Sequence, residues 1–122
     1  MGQPEGRLAR AVIKMVDERG GYAWKVHGNE FTPVGLPDVV GVYKGTFVAF
    51  ETKMPGNKPT TAQAYRAKKI RRAGGLVCSP CLSVEEAEEM LDLADTAEIN
   101  DAEYLKMMKK YGRLAGGKSD GT

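Results

Sequence analysis

Between Thr52 and Val84 the chain has no Asp or Glu, and from Ala73 to Leu105 it has no Lys or Arg. A net charge of only +2 conceals this sorting. The first stretch carries seven cations, Lys53, Lys58, Arg66, Lys68, Lys69, Arg71 and Arg72, and the second carries nine acids. So positive a middle segment suits a polyanion such as nucleic acid, the plain alternative being a solvated helix face. Other shortages exclude whole classes. No apolar run approaches the roughly 18 residues that cross a bilayer. The opening residues, MGQPEGRLAR, lack the apolar stretch of a secretion signal, and Gly6 stands where a myristoylation motif requires Ser or Thr. The expectation is a cytoplasmic protein with no membrane partner.

Histidine and cysteine are scarce too, with His27 alone and only Cys78 and Cys81. The C-x-x-C spacing invites zinc, but zinc takes four ligands and no second pair exists. Two cysteines give no disulfide framework and fit a reducing compartment as small buried hydrophobes. His27 is read as structural rather than as a general base. Residues 112–119, GRLAGGKS, satisfy the P-loop pattern letter for letter. That motif works only between a strand and a helix. Here a helix is expected before it and Asp120, Gly121 and Thr122 follow, so no helix N-terminus would face phosphates. No nucleotide cofactor is expected.

What is present reads as one domain over 1–112 with a flexible tail at 113–122. Leu8, Ala9, Val12, Ile13 and Val16 fall at helical spacing, predicting a helix over 5–19 closed by Gly20 and Gly21. YAWKVHG, 22–28, alternates as a half-buried strand, with Tyr22 and Trp24 expected in the core. Residues 35–53 read as a β-hairpin. Thr60 and Gln63 have capping-box spacing, predicting a helix over 61–73 stopped by Gly74. LVCSP is a short strand, and Ser83 with Glu86 caps a helix over 84–97. Asn100 opens another helix to Tyr111, whose end, LKMMKKY, is an amphipathic candidate for a dimer surface. The order α-β-β-β-α-β-α-α predicts an α/β fold, a three-layer sandwich around a mixed sheet. The hairpin should occupy its middle, because both of its faces are apolar.

That hairpin carries charges that an apolar sheet does not tolerate unpaired. A two-residue turn at Lys44-Gly45 sets Tyr43 opposite Thr46, and continuing the register sets Asp38 opposite Glu51. Lys53 shares the face of Glu51, since strand side chains repeat every second residue. Opposed carboxylates repel unless a divalent cation sits between them. Mg²⁺ takes one or two carboxylates, and the Thr52 carbonyl lies between the two positions as a third donor. Such a site, with Lys53 beside it, is equipped to activate water against a phosphodiester. The plain alternative keeps Asp38 as a loop cap and Glu51–Lys53 as a surface ion pair.

The run GLPDVVGVYKGTFVAFETKMPGNKPTTAQ, followed by AGG and then SVEEA, resembles the VRR-NUC family of the PD-(D/E)XK nuclease superfamily. The resemblance extends from about Glu5 to Leu91. It implies a restriction-endonuclease-like fold in which Asp38 and Glu51 bind Mg²⁺ or Mn²⁺ and Lys53 assists the attacking water. It implies that Gln63 helps to form the site. An acid of the first helix is a further member, matching Glu5, with Asp17 and Glu18 as competitors. A Glu in a first turn also favours the helix dipole. One departure is that VCSPCLS lacks a basic residue on the strand before the helix at 84–97. The implied activity is metal-dependent, structure-selective cleavage of branched DNA such as Holliday junctions by a homodimer. The basic helix, with Lys58, would hold phosphates without reading sequence. The rival is a non-catalytic DNA-binding module of the same fold. A sequence-specific restriction-type enzyme lacks an evident base-reading segment.

Overall fold

The computed structural model describes residues 4–96, with side chains over 6–95. The helix expected at 100–111, its Met-rich end, the P-loop-like run and the tail lie outside the described residues. Within them the elements are α1 (Pro4–Glu18), β1 (Tyr22–Lys25), β2 (Val39–Tyr43), β3 (Thr46–Thr52), α2 (Thr61–Arg72), β4 (Leu76–Cys81) and α3 (Val84–Thr96). The sheet runs β1-β2-β3-β4, antiparallel except for the parallel β3–β4 pair that α2 connects. This is the mixed α/β sandwich that the pattern predicts, with the hairpin central.

The hairpin register is the one the turn dictates. Tyr43 faces Thr46 and the ladder continues to Val39 opposite Phe50. Both turn residues have positive φ, 50° at Lys44 and 78° at Gly45. A two-residue turn of this kind needs that at both positions to match the twist of the strands.

One face of the sheet is closed by α1 and α3. Val12 and Val16 from α1, Leu91 from α3, and Val39, Val48 and Phe50 from the hairpin are wholly buried together. Each such side chain contributes about 1.5–3 kcal/mol. Polar contacts then fix α3 to the turn. Asp95 accepts from the Tyr43 hydroxyl at 2.7 Å, from Lys44 at 2.7 Å and from Arg19 at 2.8 Å. Lys44 and Tyr43 hold its pKa down at about 2.

Among the described residues the only helix on the other face is α2, and no α2 residue is fully buried. Its start is fixed by a complete capping box between Thr60 and Gln63. Here the structure corrects the reading of β1. The alternation is right but the face is reversed, with Ala23 buried, Tyr22 67% exposed and Trp24 42% exposed. The cause is close packing on α1. A Cβ on neighbouring Gly21 would stand 2.8 Å from Val16 Cγ1, and one on Gly41, the cross-strand partner of Ala23, 2.9 Å from the Ala23 Cβ, so small residues line this face. Nor is the hairpin covered on both sides, since Val42 and Phe47 are 44% and 40% exposed on this face. The strand is also shorter than expected and His27 is an exposed loop residue.

β4 runs one residue further than predicted. Its register against β3 slips between Phe50↔Cys78 and Thr52↔Cys81, an irregularity that lets Cys78 and Cys81 face the same way. The interaction of the two adjacent thiols lowers the pKa of Cys78 and raises that of Cys81, whose Sγ donates to the Ser83 carbonyl. Among the described residues no three of His, Cys, Asp and Glu come together. No described helix is long and apolar enough to cross a membrane.

Candidate active site

Glu51 is only 5% exposed, near the end of β3 and on the α2 side of the sheet. Gln63, in the first turn of α2, donates from Nε2 to Glu51 Oε2 at 2.8 Å. The same side chain accepts from the Thr60 N–H through Oε1 at 2.8 Å. The residue that caps the helix therefore also steers the carboxylate. Lys53, two positions along the strand, sets its ammonium 3.8 Å from Glu51 Oε2. Its side chain is only 16% exposed, so this is not the surface ion pair of the plain reading.

Asp38 lies just before β2, where the ladder has ended. Its backbone carbonyl accepts from Val26 N–H at 2.8 Å, which joins it to β1. Its carboxylate accepts from the Thr52 N–H at 2.8 Å and from the Thr52 hydroxyl. Lys25 Nζ stands 4.0 Å away. Strict alternation would aim Asp38 beside Glu51. Released from the pleat, it instead takes the donors of the next residue, so the two carboxylates bracket Thr52. The Thr52 contribution was legible only as a carbonyl. A Thr between the Glu and Lys of E-T-K was the available signal for its hydroxyl.

The segment between β1 and β2 frames this end of the sheet. Gly35, at φ 87°, is pressed against α2, and a Cβ there would lie 2.5 Å from the Ala62 carbonyl. Arg66 Nε donates to the Val34 carbonyl at 3.1 Å. Arg66 is thus half-buried and structurally engaged, unlike the other cations assigned to DNA. A hollow of about 370 Å³ opens onto Asp38 from this segment.

Lys58, Lys68, Lys69, Arg71 and Arg72 are exposed. Lys68, Arg71 and Arg72 line an open cleft of about 500 Å³ together with Ser79 of β4. Cations from α2 therefore stand over the strand whose sequence lacks one. Glu5 lies in the first turn of α1, and its side chain is outside the described set. Its competitors are at the far end of that helix, where Asp17 accepts from Ala23 N–H at 3.4 Å.

The candidate ligand atoms of Asp38 and Glu51 are carboxylate oxygens. Their polar neighbours are Thr52, Gln63, Lys25 and Lys53, with no thiol or imidazole among them. That chemistry fits a hard divalent cation such as Mg²⁺ or Mn²⁺.

No family model and no curated protein matches the chain. Four solved chains match its fold. One of them, a VRR_NUC domain, aligns with a TM-score of 0.62 over 75% of this chain and 97% of its own, at 20% identity. The shared architecture includes the helix–hairpin–helix order that carries Asp38, Glu51, Lys53 and Gln63, and the chain has the VRR_NUC domain fold.

Proposed function

We propose that the chain is a nuclease of the VRR-NUC type that hydrolyses DNA phosphodiester bonds with Mg²⁺ or Mn²⁺. The observation that carries this reading is a buried Glu51, oriented by Gln63 and paired with Lys53, beside an Asp38 turned onto the adjacent Thr52. Asp38, Glu51 and the Thr52 carbonyl would hold the cation. When bound, it neutralises charge on the phosphoryl group and makes water a better nucleophile.

The side chains have separable tasks. Gln63 aims Glu51, because its amide donates to the carboxylate. Lys53, half-enclosed beside Glu51, is the cation best placed to orient the attacking water and stabilise the negative transition state. Lys68, Lys69, Arg71, Arg72 and Lys58 hold backbone phosphates on the α2 side. Glu5 is a further candidate from α1.

Branched DNA is the proposed substrate class and a homodimer the proposed working form. A four-way junction is nearly two-fold symmetric, and paired incisions need two sites. The test offers a labelled four-way junction, a linear duplex and a single strand, each with Mg²⁺, Mn²⁺ or EDTA. Cleavage is expected with metal, is abolished by Asp38→Ala and Glu51→Gln, and is strongest on the junction. Cutting that survives Asp38→Ala, or that appears with no metal tried, removes this reading. Tight binding without cutting supports the non-catalytic module.

Phosphate holding by α2 has its own readout. Lys68→Ala combined with Arg72→Ala should weaken all DNA substrates alike and reduce the slope of log affinity against log salt by about 2. An unchanged slope refutes the contact.

A further inference from the structure

The sheet face that carries Glu51 also displays aromatic rings that the core does not use. Alternation along β3 puts Phe47, Ala49 and Glu51 on the α2 side. Consistently, Gln63 reaches Glu51 there, and Ile70 of α2 lies with Phe47 around Gly75. The strand register extends this face to the edge of the sheet. Ala49 is level with Val40 and Trp24, and Phe47 is level with Val42 and Tyr22. Trp24 is thus one side-chain repeat, about 7 Å along the strands, from the level of Glu51, and Tyr22 is two.

α2 packs on β4, and among the described residues no helix covers the β1–β2 half of the face. Tyr22 and Trp24 are 67% and 42% exposed, with ring centroids 5.3 Å apart. Clustered exposed rings mark a surface that receives a partner. The surrounding charge says which kind. Lys53 lies beyond Glu51 on the same face, and the cations of α2 line its covered half. Rings flanked by cations suit a strand that offers a π-face and a phosphate at every step. A duplex has its base faces already stacked and cannot use them.

We propose that Tyr22 and Trp24 form a stacking platform for unpaired nucleobases next to the candidate catalytic end of the sheet. The platform rests on the reading of DNA as substrate and extends it. It supplies a local physical cause for preferring branched or frayed DNA to intact duplex.

Trp24 is the only tryptophan in the chain, so its fluorescence reports on the platform directly. The full-length Glu51→Gln protein in EDTA is titrated with a short oligothymidylate, following tryptophan emission and the anisotropy of the labelled strand together. Emission should be quenched in step with binding. Trp24→Ala and Tyr22→Ala should each weaken single-strand binding roughly tenfold and leave blunt-duplex affinity unchanged, as expected for a lost stacked base. Trp24→Phe should retain most of the affinity.

Binding with unmoved emission overturns the platform, as does an equal loss on duplex and single strand. A change of sedimentation in the Ala variants overturns it in favour of a second copy as occupant. Quenching by a wild-type protein that never cuts leaves the platform standing and removes the nuclease reading, whereas cutting with unmoved emission does the reverse. No binding of any DNA removes both.

Discussion

Gln63→Glu is the most informative single change at the site. The wild-type amide has two jobs, accepting from Thr60 N–H at 2.8 Å and donating to Glu51 Oε2 at 2.8 Å. A glutamate keeps the first, since its oxygen still caps the helix, and reverses the second by setting a carboxylate against a carboxylate. At an effective dielectric near 20, two such charges about 4 Å apart repel by ~4 kcal/mol. Lys53, 3.8 Å from Glu51, offsets part of this, so a net cost of about 2–3 kcal/mol near neutral pH is expected. Gln63→Ala loses both the cap arm and the charged hydrogen bond, also about 2–3 kcal/mol. The two variants then differ in pH dependence. Repulsion in Gln63→Glu raises the folded-state pKa of one carboxyl above its unfolded value. Its stability deficit is therefore full at high pH and shrinks as pH falls through that raised pKa. Gln63→Ala has no such carboxyl pair, and its deficit changes less with pH. Urea denaturation in EDTA at several pH values between 5 and 8 measures both. A Gln63→Glu protein as stable as wild type at pH 8, or a deficit that does not shrink on acidification, would refute the assignment of Gln63 as the donor to Glu51.

Thr52→Val removes the hydroxyl that Asp38 accepts from but keeps the shape and the backbone N–H; a loss of about 1–2 kcal/mol is expected, seen as a lower midpoint in urea with unchanged m-value. Asp95 titrates at about 2 in the folded protein, below its unfolded value, so the stability it contributes is present above pH 4 and is lost as pH falls from about 4 to about 2. Asp95→Asn should remove that part of the acid limb of the Tm–pH curve, and identical limbs in variant and wild type would show that the contact with Lys44 and Tyr43 does not carry it.

The fold was legible where local chemistry alone decides. Gly45 after Lys44 fixes the hairpin turn, and one fixed turn dictates the pairing of Val39 with Phe50 far down the ladder. Thr60 and Gln63 announced the start of α2 because a capping box needs only neighbours in sequence. Tyr22 and Trp24 failed for the complementary reason. Alternation shows that two faces differ but not which one meets a helix, and hydrophobicity points to the larger side chains. The packing of the inward face decided it, where Gly21 lies against Val16 of α1 and Gly41 against Ala23.

The site divides along the same line. Glu51, Lys53 and Gln63 meet because strand periodicity and the capping box each place one side chain on a known face, and the two faces adjoin. Asp38 was readable only as far as the pleat extends. Past Val39 the ladder stops, and the carboxylate follows the nearest donors rather than the alternation. An acid held by one N–H and one hydroxyl is anchored on one side and still presents lone pairs to a cation on the other. If Asp38 and Glu51 were fixed face to face in the metal-free chain, their repulsion would weigh against folding. Turning Asp38 onto the Thr52 N–H and hydroxyl takes its carboxylate out of that opposed position. The departure from ideal strand geometry is thus what lets the chain carry both acids at this end of the sheet without opposing them.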